Sequence, residues 1–294
     1  MVPERISALS CWKGDIQAEP LSGGLSNEIW KVTDDTGDHV VRFGQDYPVH
    51  HVDRAREVMS TRAAHAAGFS PAVEHAAPGV MVVAFVAART WGPEDMRADP
   101  ARVAKLLRQF HDTMPEHVSG TAYIFWVFHV IRDYARTLTR GNSRFAGELP
   151  QYLALSQQLE AAQVPLPIVF AHNDLLPANF LEDDTRLWLI DYEYAGYSTA
   201  LFDLAGAASN SEMEPDAAQE LLSCYFGKTP DHDLIRAFDA MQCASLLREA
   251  MWAMVSELHL KAPGVDYVAY ANENLEKLEA ATARFHALYG KPPT

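Results

Sequence analysis

His172, Asp174 and Asn179 stand in the pattern His-x-Asp-x4-Asn, and Asp191 follows just past a second short apolar run. The segment reads FAHNDLLPANFLEDDTRLWLIDYE, with "PIVFA" and "LWLI" as the two runs that deliver these polar groups. An ionised aspartate can take the proton of a hydroxyl nucleophile. Carboxylate and amide oxygens are hard ligands of the kind Mg²⁺ prefers, and that ion keeps positions free for phosphate and water. Together these groups suit phosphoryl transfer. Asp174 is then the base, Asn179 and Asp191 hold Mg²⁺, and His172 braces the loop by hydrogen bonds. Singly, each has a plainer use: an Asx-type turn before the proline, or a helix cap at Asp191. Four at this spacing, between two buried runs, favour a site.

A second group lies upstream. "LSGGLSNEIWKV" places Gly23, Gly24, Ser26 and Asn27 before a strand, where backbone N–H groups could approach phosphate oxygens closely. An ordinary hairpin turn would use the same residues. Arg42, in "VVRFG", alternates with Val41 and Phe43 and so points to the other side of its strand. A buried cation there needs a partner, and Glu57 on the next helical pattern is the candidate; the alternative is a surface arginine on an edge strand. Glu193, two residues past Asp191, is placed to support the metal from behind. His50, His51 and Asp53 suggest either a metal site or, preferably, a solvated loop.

The elements that must carry these residues can be read from periodicity. "NEIWKVTDD" and "HVVRFGQD" are strands joined by a hairpin-type turn in "DTGD". Helical spacing follows over residues 52–67, with Gly68 as cap and Pro71 as stop. Residues 79–88 read as a buried strand leading to a connector, "RTWGPED". Three helical patterns occupy most of residues 99–163. A long helix is expected from about Asp233 to Leu260 and a last one from about Val265 to Leu288. This is an α+β arrangement: a small antiparallel-sheet lobe, residues 1–88, then a larger helical lobe, residues 89–294, with a ligand cleft between them.

"HNDLLPANFL" followed by "LIDYEYAGYSTALFDLA", with "LSGGLSNEIWKV" upstream, resembles the choline/ethanolamine kinase family. That family lies within the aminoglycoside-phosphotransferase-like, protein-kinase-like superfamily, and the likeness runs from about Leu21 to Leu288. "DYEYAGY" is its most specific part. The resemblance implies a two-lobed kinase-like fold holding ATP and Mg²⁺, with a small amino alcohol as acceptor. Asp174 then matches the catalytic aspartate, Asn179 and Asp191 the metal ligands, Arg42 and Glu57 the phosphate-side pair, and residues near Ala87–Trp91 the hinge. Tyr194, Trp252 and Tyr270 match the aromatic residues that hold the acceptor's ammonium by their ring faces. Glu249 departs from the pattern, standing where eukaryotic choline kinases carry a second tryptophan; one turn from Trp252, it shares that helix face. A carboxylate there could attract a cation or accept hydrogen bonds from a primary amine.

The formal net charge of −15 repels nucleic acid and anionic lipid. No apolar stretch is long enough to span a bilayer, and Cys11, Cys224 and Cys243 form neither a disulfide framework nor a zinc spacing. A cytoplasmic enzyme is therefore expected, phosphorylating choline first, with ethanolamine, a sugar, homoserine or an aminoglycoside as alternative acceptors. The reading of a different class is an inactive kinase-like nucleotide-binding protein.

Overall fold

The alternation in residues 28–43 closes into a hairpin, as its turn chemistry dictates. The computed structural model describes residues 2–21, 28–121, 123–260 and 265–291. Gly23, Gly24, Ser26 and Asn27 lie outside the described residues. After a short helix, α1 (Glu4–Ser7), come β1 (Gln17–Leu21), β2 (Glu28–Asp34), β3 (Gly37–Phe43), helix α2 (Arg54–Ala66), β4 (Val73–Ala77) and β5 (Val80–Ala84). The strands form one antiparallel sheet in the order β1-β2-β3-β5-β4. Ile6, Val32, Val41 and Val82 make a small core against it. β3 is thus an inner strand, which removes the edge-strand alternative for Arg42.

Two boundaries differ from expectation for identifiable reasons. Asp53 caps α2 by accepting from Arg56 N at 2.8 Å, so the helix begins at residue 54. The apolar run after Gly79 leaves the sheet at Ala84, the last residue paired with β3, beyond which the contact continues only as the Phe85 N–Asp38 O bond at 3.0 Å. At the other end of α2, Gly68 adopts φ +84° and its N–H bonds back to His65 O, the left-handed stop that glycine supplies.

The chain then enters a mainly helical region. β6 (Arg89–Thr90) pairs with β8 (Phe180–Glu182), and Trp91 N donates to Phe180 O, so the connector is tied to the strand that follows Asn179. Helices α3 (Pro93–Ala98), α4 (Pro100–Thr113), α5 (Val127–Arg140) and α6 (Leu149–Ala161) follow. Next come β7 (Ile168–Ala171), β8 (Phe180–Glu182), β9 (Leu187–Leu189) and β10 (Gly196–Thr199). α7 (Ala200–Asn210), α8 (Pro215–Phe226), α9 (His232–His259) and α10 (Tyr267–Tyr289) complete the chain. The large core runs through α4, α5, α7 and α9. No described helix is long and apolar enough to cross a membrane. Among the described residues the three cysteines are free, and Cys243 is buried.

Candidate active site

The loop after β7 is built to present Asp174. Asn173 takes φ 63°, a left-handed conformation that asparagine tolerates, and its side-chain amide donates to Tyr194 O and Gly196 O at 3.1 and 3.2 Å. His172, fully buried, contacts Ile190 O through Nε2 at 2.9 Å, so it joins the two loops. Asn179 Nδ2 donates to Asp174 O at 2.7 Å, and Ile190 N donates to Asn179 O. Among the described residues these bonds leave the side-chain oxygen of Asn179 available to a ligand. Gly196 is required by close approach: a Cβ there would meet Tyr123 O at 2.9 Å.

Asp191 lies two residues past the end of β9 rather than at the strand end, and it turns out of the segment with φ 70°. Its Oδ1 accepts from Arg42 Nη1 at 2.8 Å. The same Arg42 nitrogen lies 2.7 Å from Glu57 Oε1, and Arg42 Nη2 lies 2.8 Å from Glu193 Oε2. Arg54 adds a second cation, donating to Glu57 at 2.6 Å and to Glu193 at 2.9 Å. Burial opposes the charge on Arg42, yet Asp191, Glu57 and Glu193 hold its protonation above the usual arginine range. Burial and the Asp191 charge raise the Glu193 carboxyl, against Arg42 and Arg54. Glu193, expected to back a metal, pairs with two arginines, Arg42 and Arg54.

Burial pushes the Asp174 carboxyl well above the ordinary carboxylate range; Arg248 opposes this, while Glu249, Asp191 and Glu193 add to it. Asp174 and Asp191 therefore share one electrostatic field. Among the described residues no group of three or more His, Cys, Asp or Glu side chains could cage a metal by itself. The donor set fits an ion that takes only a few protein oxygens. Asn179 Oδ1 and the second Asp191 oxygen have the hardness and the spare lone pairs that Mg²⁺ requires.

The acceptor candidates converge on α9. Trp252 Nε1 donates to Tyr194 OH at 3.0 Å. Tyr270 OH donates to Glu249 Oε2 at 3.1 Å, and the Trp252 and Tyr270 rings meet edge-on with centroids 5.9 Å apart. Beside them lies Arg248, 2% exposed. Its Nη1 bonds Glu249 and stands 3.5 Å from Asp174 Oδ1.

His50 corrects one expectation. It lies not in a solvated loop but 1% exposed, between Tyr134 OH at 3.3 Å and Ser256 Oγ at 3.1 Å, with its ring 5.4 Å from that of Trp252.

A profile of the choline/ethanolamine kinase family matches residues 18–216. The chain belongs to the choline/ethanolamine kinase family. The match stops in α8, short of the Leu288 limit expected from sequence, but solved structures extend it. A choline/ethanolamine kinase family protein from Mesorhizobium loti superposes with a TM-score of 0.74 at 27% identity, covering 96% of each chain. A probable ethanolamine kinase from Arabidopsis thaliana is 27% identical over 86% of this chain and 76% of its own. The chain spans 53% of mouse ethanolamine kinase 2, at 27% identity over 66% of itself. Spectinomycin phosphotransferase, with a TM-score of 0.60 at 14% identity over 92% of this chain and 95% of its own, shares the fold. Family membership makes the chain a phosphotransferase with an alcohol group as acceptor, on a two-lobed kinase-like fold.

Sequence reasoning missed three residues of this family member's site. Asp203, 1% exposed, accepts from His172 N at 2.8 Å, Asn173 N at 2.7 Å and His111 Nε2 at 2.9 Å. Burial works against its charge, but the His111 bond and the neighbouring donors hold its carboxyl below the ordinary range. The signal was a charged residue alone in the apolar run "TALFDLAGAA". Arg248 gave the same signal beside Glu249 within α9. Arg54 gave none, because an arginine at the start of a helix reads as solvated.

Proposed function

We propose that this chain transfers the γ-phosphoryl group of ATP, with Mg²⁺, to the hydroxyl of a small amino alcohol. One observation carries the reading: residues from β3, α2 and the two loops flanking β8 and β9 meet through Arg42, Glu57, Asn179 and Asp191, next to the buried carboxylate of Asp174. Residues 1–88 serve the nucleotide and residues 89–294 the acceptor, and the cytoplasm is the site of action.

Asp174 receives the hydroxyl proton as the oxygen attacks phosphorus; its raised proton affinity suits a base. Asn179 and Asp191 are the oxygens that would hold Mg²⁺, and the bound ion supplies charge neutralisation at the transferring phosphates. Arg42, fixed by Glu57, adds a positive charge on the phosphate side. Tyr194, Trp252, Tyr270 and Glu249 bound the acceptor's amine end. Little covalent work falls to the protein, so alignment and electrostatics supply most of the acceleration.

ADP release is measured with choline, ethanolamine, homoserine, a hexose and kanamycin as acceptors. Turnover with choline or ethanolamine supports the reading. Turnover confined to the sugar or the antibiotic rejects it. Mg-ATP binding with no turnover on any acceptor returns the inactive nucleotide-binding alternative.

A further inference from the structure

Arg248 occupies an unusual position for a cation. It comes from the middle of α9, where Ser245 to Ser256 are all buried. Its guanidinium lies over the Tyr194 ring, 4.4 Å from the centroid, and 5.9 Å from that of Phe125. One edge is used: Nη1 bonds Glu249 and stands 3.5 Å from Asp174 Oδ1. Nε and Nη2 find no hydrogen-bond partner among the described residues. The electron-rich faces of the surrounding rings are what compensates that part of its burial.

Two consequences follow for anything bound beside Asp174. The Tyr194 face, which would attract a ligand's ammonium, already carries a cation supplied by the chain. Glu249 and Asp174 both lie against Arg248, so two acidic side chains face one guanidinium there. Glu249 also keeps unused lone pairs, since Arg248 engages Oε1 and the Tyr270 hydroxyl engages Oε2. A primary ammonium can donate to those lone pairs. A trimethylammonium has no hydrogen to donate, and here it would sit beside a guanidinium on a ring face already taken.

We propose that Arg248 is a specificity-determining residue: by filling the Tyr194 face it disfavours quaternary ammonium acceptors and leaves Glu249 to receive a hydrogen-bonding primary amine. This rests on the amino-alcohol reading above and deepens it.

The test uses Mg-ATP with ethanolamine, its N-methyl and N,N-dimethyl derivatives, and choline. For the unaltered chain kcat/KM falls across the series by about a hundredfold or more, as expected where a site built to accept hydrogen bonds meets a ligand without donors. Most of the fall lies in the acceptor KM. The double variant Arg248→Leu with Glu249→Gln frees the ring face and removes one charge of each sign, and its folding is checked by a cooperative melt. It brings choline and ethanolamine to within about threefold of each other, or reverses them, by the same reasoning. Arg248→Gln, which removes the cation from the ring face but keeps a donor for Glu249, narrows the ratio and carries the comparison if the double variant does not melt cooperatively. Equal use of choline and ethanolamine by the unaltered chain overturns the proposal, as does a folded variant that keeps the original ratio. No turnover with any of the four acceptors, while Mg-ATP still binds, rejects the amino-alcohol reading itself and is distinguishable from both.

Discussion

Arg42 and Asp191 are separated by 149 positions in the chain, yet Arg42 Nη1 lies 2.8 Å from Asp191 Oδ1. The nitrogen that makes this contact also bonds Glu57, so one guanidinium fastens the N-terminal sheet, α2 and the loop after β9 together. Three carboxylates depend on it.

Replacing Arg42 with methionine takes from Glu57, Asp191 and Glu193 the cation they share, with Arg54 still paired to Glu57 and Glu193. Removing one partner from a buried ion pair costs about 3–5 kcal/mol. Arg42→Met is therefore expected to lower the unfolding free energy by that amount, read by denaturant melts. Arg42→Lys restores one charge but not the fork that reaches three acceptors. It is expected to fold and to raise the ATP KM by about tenfold, the equivalent of one charge-assisted hydrogen bond.

Asp174→Asn keeps the shape of the loop and removes the proton acceptor. Turnover is expected to fall by about 10²–10⁴-fold, the range of general-base contributions. Mg-ATP should still raise the melting temperature, because Asn179 and Asp191 are untouched. Asp191→Ala should show the opposite pattern, losing the Mg-dependent part of that thermal shift, and chelation by EDTA should erase it in every form. Near-normal turnover in Asp174→Asn would remove the residue from the base role.

Asp203→Ala strands three donors in the interior: the backbone N–H groups of His172 and Asn173, and His111 Nε2. An unsatisfied buried donor costs about 1–3 kcal/mol, so a loss of several kcal/mol is expected in the melt. Because those donors fix the loop that carries Asp174, kcat should drop more than the ATP KM changes. Full activity in a folded Asp203→Ala variant would contradict this role.

Burial pushes His50 down to about 3 from an ordinary 6.5, with the charge on Arg248 next in importance. His51 and His172 are lowered as well, again chiefly by burial. A depressed folded-state value means that the unfolded chain takes up protons first as the pH falls. The stabilisation is thus complete above about 6.5, and His50's share is lost progressively toward about 3. Each such group contributes up to about 1.4 kcal/mol per pH unit within its window. Denaturant melts between pH 7.5 and pH 4.5 should show falling stability, and His50→Gln should reduce the slope by about one proton.

The candidate site residues were legible because phosphoryl transfer would demand particular types at short range. His172, Asp174 and Asn179 sit in one loop, and Asp191 in the next, so their spacing survives in the sequence. Helices with strong periodicity were legible for the same local reason: α9, expected from about Asp233 to Leu260, spans His232–His259.

Which faces meet across the fold was left to tertiary structure. Nothing near Glu193 in the chain announces that Arg42 and Arg54 will neutralise it, because both arrive from the N-terminal region. His50 read as part of a solvated loop, since two histidines and an aspartate are locally polar. Only the packing of that loop against α5 and α9 supplies Tyr134 and Ser256 and makes its burial tolerable. Arg248 is the sharpest case. Its helix could be drawn from the sequence, but a buried guanidinium over Tyr194 exists only where α9 crosses the loop of Asp174, which adds that carboxylate to the adjacent Glu249. Local spacing encodes which groups are available, while the pairing of charges in the low-dielectric interior depends on distances that only the assembled fold sets.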